Sequence, residues 1–173
     1  MKTLAIIPAR GGSKRIPRKN LKPFLGVPAV ARVIETAQQS ECFNEVMVST
    51  DDPEIAEIAL KSGASVPFLR SPENSNDTAG TLAVLREVID RYAAANQSFD
   101  LVCCLYPTAV LSRPESLREG RNLLEQSPHC SAIFPAVAYG HPIQRAFAIR
   151  ENRVAMCHPE HAQTRSQDLE RLY

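Results

Sequence analysis

No stretch of this chain reaches the roughly 18 to 20 consecutive apolar residues that a membrane span needs. No basic-then-apolar leader opens it, since Lys2 runs straight into a short strand. Membrane partners are not expected, and a cytoplasmic location is. Net charge is almost absent: 20 Lys and Arg stand against 19 Asp and Glu, a formal +1, which leaves no overall field to attract nucleic acid. Cysteine is scarce, five in all, an odd number without metal-ligand spacing. Cys103-Cys104 lies inside an apolar run, one thiol to each side of a strand. This usage fits reduced thiols that pack as small hydrophobes. Two nucleotide fingerprints are missing, the G-x-x-x-x-G-K-[ST] loop and the G-x-G-x-x-G turn. Repeats and low-complexity tracts are missing too.

What the chain has instead is a local concentration of charge. Ile6-Ile7-Pro8 runs into Ala9-Arg10-Gly11-Gly12-Ser13-Lys14-Arg15-Ile16-Pro17-Arg18-Lys19-Asn20, a loop holding five cations. Glycines let a backbone turn tightly and aim its N–H groups at a ligand, and Lys and Arg suit phosphate. Arg10 and Lys14 are the natural phosphate contacts. Ser13 and the Gly11 and Gly12 amides are candidate donors to phosphate oxygens, and Lys19-Asn20 offers a cation and a bidentate amide. The alternative is a solvated basic loop; the position between the first strand and the first helix argues against it.

Thr3–Pro8 is a continuous apolar run, as in a strand buried on both faces. A helix is expected over 28–39, with Val30, Val33, Ile34 and Ala37 at helical spacing, then a strand over 46–50. Asp52-Pro53 reads as N-cap and first turn of a helix that stops at Gly63. A short strand is expected over 65–69. A long helix follows, capped by Asp77 or Thr78, with Leu82, Leu85, Ile89 and Tyr92 on one face. A strand over 101–105 comes next, and Ser112 to Glu115 has capping-box spacing before another helix. A fifth strand is expected over 132–138, then a hairpin turning at Glu151-Asn152. Alternation of this kind gives a doubly wound, mainly parallel α/β sheet with helices on both faces, a Rossmann-like fold in a single domain, 1–173. Such sheets bind ligands beyond the carboxyl ends of their strands. The segments 9–22, 51–52, 70–81 and 106–113 should therefore gather around one cleft.

Ile7 to Asn20 resembles the N-terminal signature of the CMP-sialate synthetase-type cytidylyltransferases. Val48-Ser49-Thr50-Asp51-Asp52 and Arg70-Ser71-Pro72 followed by Asn76-Asp77-Thr78 match the family in order and spacing. The sialate enzymes carry Leu-Gln-Pro-Thr at the fourth strand. Here Leu105-Tyr106-Pro107-Thr108, together with Cys103-Cys104 and the segment from Glu160 to Leu169, is similar to the pseudaminic acid branch. The resemblance covers essentially the whole chain. It implies a nucleotidyltransferase that moves CMP from CTP to the anomeric hydroxyl of a nonulosonic acid and releases pyrophosphate. Neuraminate or legionaminate is an alternative acceptor, the octulosonate type a more remote one, and an inactive CTP-binding fragment a reading from another class.

The resemblance also implies roles. Arg10, Lys14 and Lys19 would be catalytic. CTP would be bound by Ala9, Arg10, Gly11, Gly12, Ser13, Lys14, Lys19, Asn20, Arg70, Asp77, Thr78 and Thr81. The sugar would meet Tyr106, Arg165 and Gln167, with Arg165 facing its carboxylate and His141 in a nearby loop. Magnesium and a homodimer are implied as well. The family holds its metal with a D-x-D-type pair near the C-terminus. Asp51, Asp52 and Asp168 do not match that pair, so the chain itself is expected to supply no metal ligand. The aspartates are expected beyond Tyr173, which makes the chain a truncated one.

Overall fold

The computed structural model describes residues 1–173, which fall into two compact units, Met1–Ser131 and Ala132–Tyr173. The first unit is built on β1 (Thr3–Pro8). It continues through a two-residue ribbon, β2 (Pro23–Phe24) with β3 (Val27–Pro28), to α1 (Ala29–Gln39), β4 (Glu45–Ser49), α2 (Pro53–Lys61), α3 (Pro72–Ser75), α4 (Thr81–Ala94), β5 (Leu101–Cys104) and α5 (Pro114–Glu125). Its sheet has the order β4-β1-β5, all parallel, with Leu4 opposite Glu45 and Val102.

β1 is apolar throughout because it is covered twice. Successive side chains in a strand point to opposite faces. Ala5 and Ile7 pack with Val30, Ile34, Val48 and Ile55 of α1, β4 and α2, whereas Leu4 and Ile6 pack with Met47, Val88 and Tyr92. Helices on both faces of a parallel sheet are the doubly wound arrangement, so the expected fold class holds.

Local chemistry explains the elements. Asp52 caps α2, its carboxylate accepting from the N–H groups of Glu54 (2.9 Å) and Ile55 (3.3 Å), with Pro53 in the first turn. Past the helix, Gly63 takes φ +81°, the left-handed stop that glycine permits.

Four expectations for this unit need correction. The strand expected over 65–69 shrinks to one parallel bridge, Ser65 to Met47, because Pro67 has no N–H to carry a ladder further. α4 is capped by the backbone of Gly80 with no side-chain cap; Asp77 and Thr78 are engaged elsewhere. α4 also turns Val84, Val88 and Tyr92 inward and leaves Leu82 81% exposed. Two apolar stripes share Tyr92, and its edge-on contacts with Phe68 and Phe99 and its hydroxyl bond to Glu45 select the second. At α5 no capping box forms: Arg113 is the N-cap, without a side-chain bond, and Glu115 pairs with Arg118 at 2.8 Å.

The second unit carries a hairpin of β6 (Phe147–Arg150) and β7 (Arg153–Met156), joined by Glu151 and Asn152 at φ 51° and 59°. Positive φ at both central residues is the turn whose twist matches the strands. No regular element forms over 132–138, where Pro135 interrupts the apolar run and Phe134 and Val137 are exposed.

Candidate functional site

The basic loop leaves β1 at its carboxyl end, where a parallel sheet opens its crevice. Ala9 is buried, and its N–H donates to the Ser49 carbonyl at 2.9 Å, so the loop starts from a fixed point between β1 and β4. Asn20, 3% exposed at the far end, donates through Nδ2 to the Arg10 carbonyl at 2.9 Å and ties the loop's end back to its beginning. Its Oδ1 is buried and meets no donor within the protein.

Between these anchors lies a cleft of about 400 Å³ lined by Arg10, Gly12, Ser13, Lys14, Ser75, Asn76 and Asp77. Two of the four expected segments therefore form its walls. The others join by contact. Gly11 N–H donates to Asp51 at 2.9 Å, and the Thr81 hydroxyl lies 2.8 Å from that of Tyr106. The glycine amides thus part company: that of Gly11 serves Asp51, while that of Gly12 donates to no protein acceptor. A Cβ at Gly11 would run into Asp52, whereas one at Gly12 would meet nothing within 4 Å.

Asp77 dominates the electrostatics of the cleft. Its carboxylate bonds Lys14 and, at 2.8 Å, Arg10, and these hold its pKa below the usual aspartate value. Asn76 adds its carbonyl to Arg10 at 2.9 Å, and its side chain accepts from Thr78 N–H, Thr78 hydroxyl and Ala79 N–H, each at 2.8 Å. Asp77 and Thr78 are thus loop-building residues here. Lys19 enters no ion pair and opens a short 3-10 turn, Lys19–Leu21. Arg18 is turned the other way, to Asp52 at 2.6 Å and to Glu54.

Arg70 is 7% exposed. Its guanidinium donates to the Ser49 hydroxyl at 3.0 Å and to the Ser49 carbonyl. Burial pushes its pKa down, the charges of Asp51 and Glu87 oppose this, and Arg10 reinforces it. It braces the floor of the crevice. Sequence reasoning missed Glu87, whose carboxylate on α4 accepts from Ser71 N–H (2.8 Å), Ser71 hydroxyl (3.1 Å) and Asn74 amide (2.6 Å). An acidic residue on an amphipathic helix carries no signal that separates this from solvation.

In the second unit, Arg165 is exposed and pairs with Asp168 at 2.7 Å, and Gln167 lies exposed in the same short turn. His141 lines a separate hollow of about 200 Å³ with Tyr139, Pro142 and Ser166 to its sides.

No three His, Cys, Asp or Glu side chains come together as a metal-binding group. The carboxylates nearest the cleft are already committed: Asp51 to Gly11 N–H, Asp52 to the α2 cap and Arg18, and Asp77 to two cations. They do not fit a magnesium site.

Comparison with known proteins matches residues 4–170 to a family described as cytidylyltransferase. A pseudaminic acid cytidylyltransferase of Campylobacter jejuni is 47% identical over all of this chain and 75% of its own length. A CMP-N,N'-diacetyllegionaminic acid synthase of Legionella pneumophila is 38% identical over 74% of this chain and 59% of that protein. Among solved structures, a CMP:2-keto-3-deoxy-manno-octonic acid synthetase complexed with CTP superposes with a TM-score of 0.63 at 27% identity. The match covers 74% of this chain and 49% of that one, so the chain spans about half the length of that synthetase.

Proposed function

From the premise that this chain belongs to the cytidylyltransferase family, we propose that it transfers CMP from CTP to the anomeric hydroxyl of pseudaminic acid and releases pyrophosphate. The observation that carries this reading is the pairing of Arg10 and Lys14 on one carboxylate in a cleft at the carboxyl end of β1. Two cations converging on one anion are already placed for phosphate oxygens. The choice of pseudaminate over legionaminate rests on 47% identity over all of this chain against 38% over 74% of it.

The reaction needs two anionic substrates in line and charge neutralised at the α-phosphate. In this reading Arg10 and Lys14 exchange Asp77 for the triphosphate, and the Gly12 amide and Ser13 hydroxyl donate to its oxygens. Lys19 adds charge from the loop's end. Asn20, buried and holding the loop closed, presents the nucleoside wall. The sugar oxygen attacks the α-phosphorus and gives up its proton to water, while the bond from the α-phosphorus to the β-phosphate oxygen breaks and pyrophosphate leaves. Magnesium would supply Lewis-acid polarisation of the phosphates. Because the cleft carboxylates do not fit it, the loop cations alone carry the neutralisation assigned to this chain. Tyr106 belongs to the sugar in this reading. Two copies pair through the apolar residues exposed on the second unit, Phe134, Val137, Phe147 and Ile149, which sedimentation at two concentrations tests. No helix is long and apolar enough to cross a membrane, and the five free thiols suit a reducing cytoplasm.

Pyrophosphate release with each of the four nucleoside triphosphates, against pseudaminic, legionaminic and neuraminic acids, tests the proposal. CTP with pseudaminic acid should give the largest kcat/KM, and indifference to CTP refutes it. A second reading, CTP binding without turnover, is favoured by the committed carboxylates. It predicts CTP binding by calorimetry and no pyrophosphate.

A further inference from the structure

We propose that Glu87 is a positioning residue for the nucleotide cleft. It acts from outside by fixing the loop that forms the wall facing the basic segment; its link to CTP rests on the cytidylyltransferase reading.

α3 is four residues long, too short to hold its own shape in water. It follows Arg70 and leads directly into Asn76 and Asp77, which meet Arg10 and Lys14. Glu87 supplies the missing support. The side chain is 11% exposed. One carboxylate oxygen takes Ser71 N–H at 2.8 Å, and the other takes the Asn74 amide at 2.6 Å and the Ser71 hydroxyl at 3.1 Å. The N-cap and the third residue of the short helix are thus bonded to one carboxylate on a fourteen-residue helix. Val88, next to Glu87, packs with Leu4, Ile6 and Met47 of the sheet, and Val84 is buried one turn earlier, so the anchor is rigid. Burial alone would raise the Glu87 pKa. The bonds from Asn74 and Ser71 and the charge of Arg91 outweigh it and hold the group below the usual glutamate value, ionised and accepting at neutral pH. Glu87 is not among the residues lining the cleft. What reaches the cleft is the position of the Asn76 carbonyl, 2.9 Å from Arg10.

The test compares wild type, Glu87→Ala, Glu87→Gln, Asn74→Asp and the exchanged pair Glu87→Gln with Asn74→Asp. Hydrogen exchange and CTP calorimetry are the readouts. In Glu87→Ala, amides of residues 71–77 should exchange about tenfold faster, the loss of one hydrogen-bonded charge anchor, while those of β1 and β4 keep their wild-type rates. The CTP dissociation constant should rise about tenfold as the wall must be ordered on binding. Asn74→Asp alone sets two carboxylates together and should loosen the loop. The exchanged pair restores an amide facing a carboxylate and should recover both readouts to within about twofold. A residue that merely stabilised the fold would accelerate exchange in β1 and β4 equally, and that outcome overturns the proposal. So does unchanged CTP affinity with a loosened loop, or an exchanged pair no better than its singles; this last arm decides if Glu87→Ala does not fold. If wild type binds no CTP at all, the cytidylyltransferase reading fails, and the exchange arm alone then decides whether Glu87 holds the wall.

Discussion

Gly11 and Gly12 are adjacent and identical in composition, yet the structure assigns them opposite tolerances. An alanine methyl at Gly11 would stand 2.9 Å from the Asp52 Cβ and 3.1 Å from its carboxyl carbon, nearer still to one carboxylate oxygen. Backbone carries the new atom, so Asp52 has to move. Asp52 caps α2 through Glu54 and Ile55 N–H and holds Arg18 at 2.6 Å. Losing the cap costs about 1 kcal/mol, and residual crowding costs about 1–3 kcal/mol more. The Arg18 pair, half-exposed, adds little. Gly11→Ala should therefore lose about 2–4 kcal/mol, which at roughly 2–4 °C per kcal/mol lowers Tm by about 5–15 °C. Gly12→Ala meets nothing within 4 Å and needs no left-handed backbone, so it should stay within about 0.5 kcal/mol of wild type. Urea unfolding followed by circular dichroism measures both. Equal midpoints for the two variants would refute the steric argument, and so would a loss confined to Gly12→Ala.

Asp77→Asn should bind CTP more tightly, by about threefold to tenfold at low salt and less above about 0.15 M. The native carboxylate, ionised because Lys14 and Arg10 depress its pKa, occupies the cations a triphosphate must claim. The Asn76 carbonyl still holds Arg10 in the variant. Weaker binding would show that Asp77 orders the cations rather than masking them. Thiol labelling at pH 8 should find Cys130 and Cys157 fast, since both are exposed. Cys103 should be slow, because burial, helped by Cys104 and Cys42, pushes its pKa up to about 11 and keeps it a thiol. Mass spectrometry that found Cys103 modified first would contradict this packing.

How far a residue's partner lies along the chain decides what its sequence discloses. The crossing of β1 by two cores was legible because Leu4 to Ile7 are apolar on both faces, a pattern contained in four neighbours. The Asp52 cap was legible because its donors are two and three residues away. The turn at Glu151-Asn152 announced itself between two apolar runs. Pro67 and Pro135 were also visible, but the apolar pattern around them outvoted them: Pro67 removes the donor that would extend the Ser65 bridge, and Pro135 interrupts the run over 132–138, where no strand forms.

Asp77 marks the point at which local reading fails. An aspartate before a helix satisfies cap chemistry as well as ion-pair chemistry, and only the approach of Arg10 and Lys14, more than sixty residues earlier, chooses between them. Once the side chain turns to those cations, α4 must start without a side-chain cap. Leaving Gly80 as the cap forgoes about 1 kcal/mol or less. That small deficit is tolerable because Val84, Val88 and Tyr92 bury the helix against the sheet, and buried apolar side chains of this size each contribute about 1.5–3 kcal/mol. Packing thus secures α4 independently of its cap, which frees Asp77 for the cleft. A helix less well buried would have needed its aspartate, and the loop cations would then have faced the cleft without an internal anion.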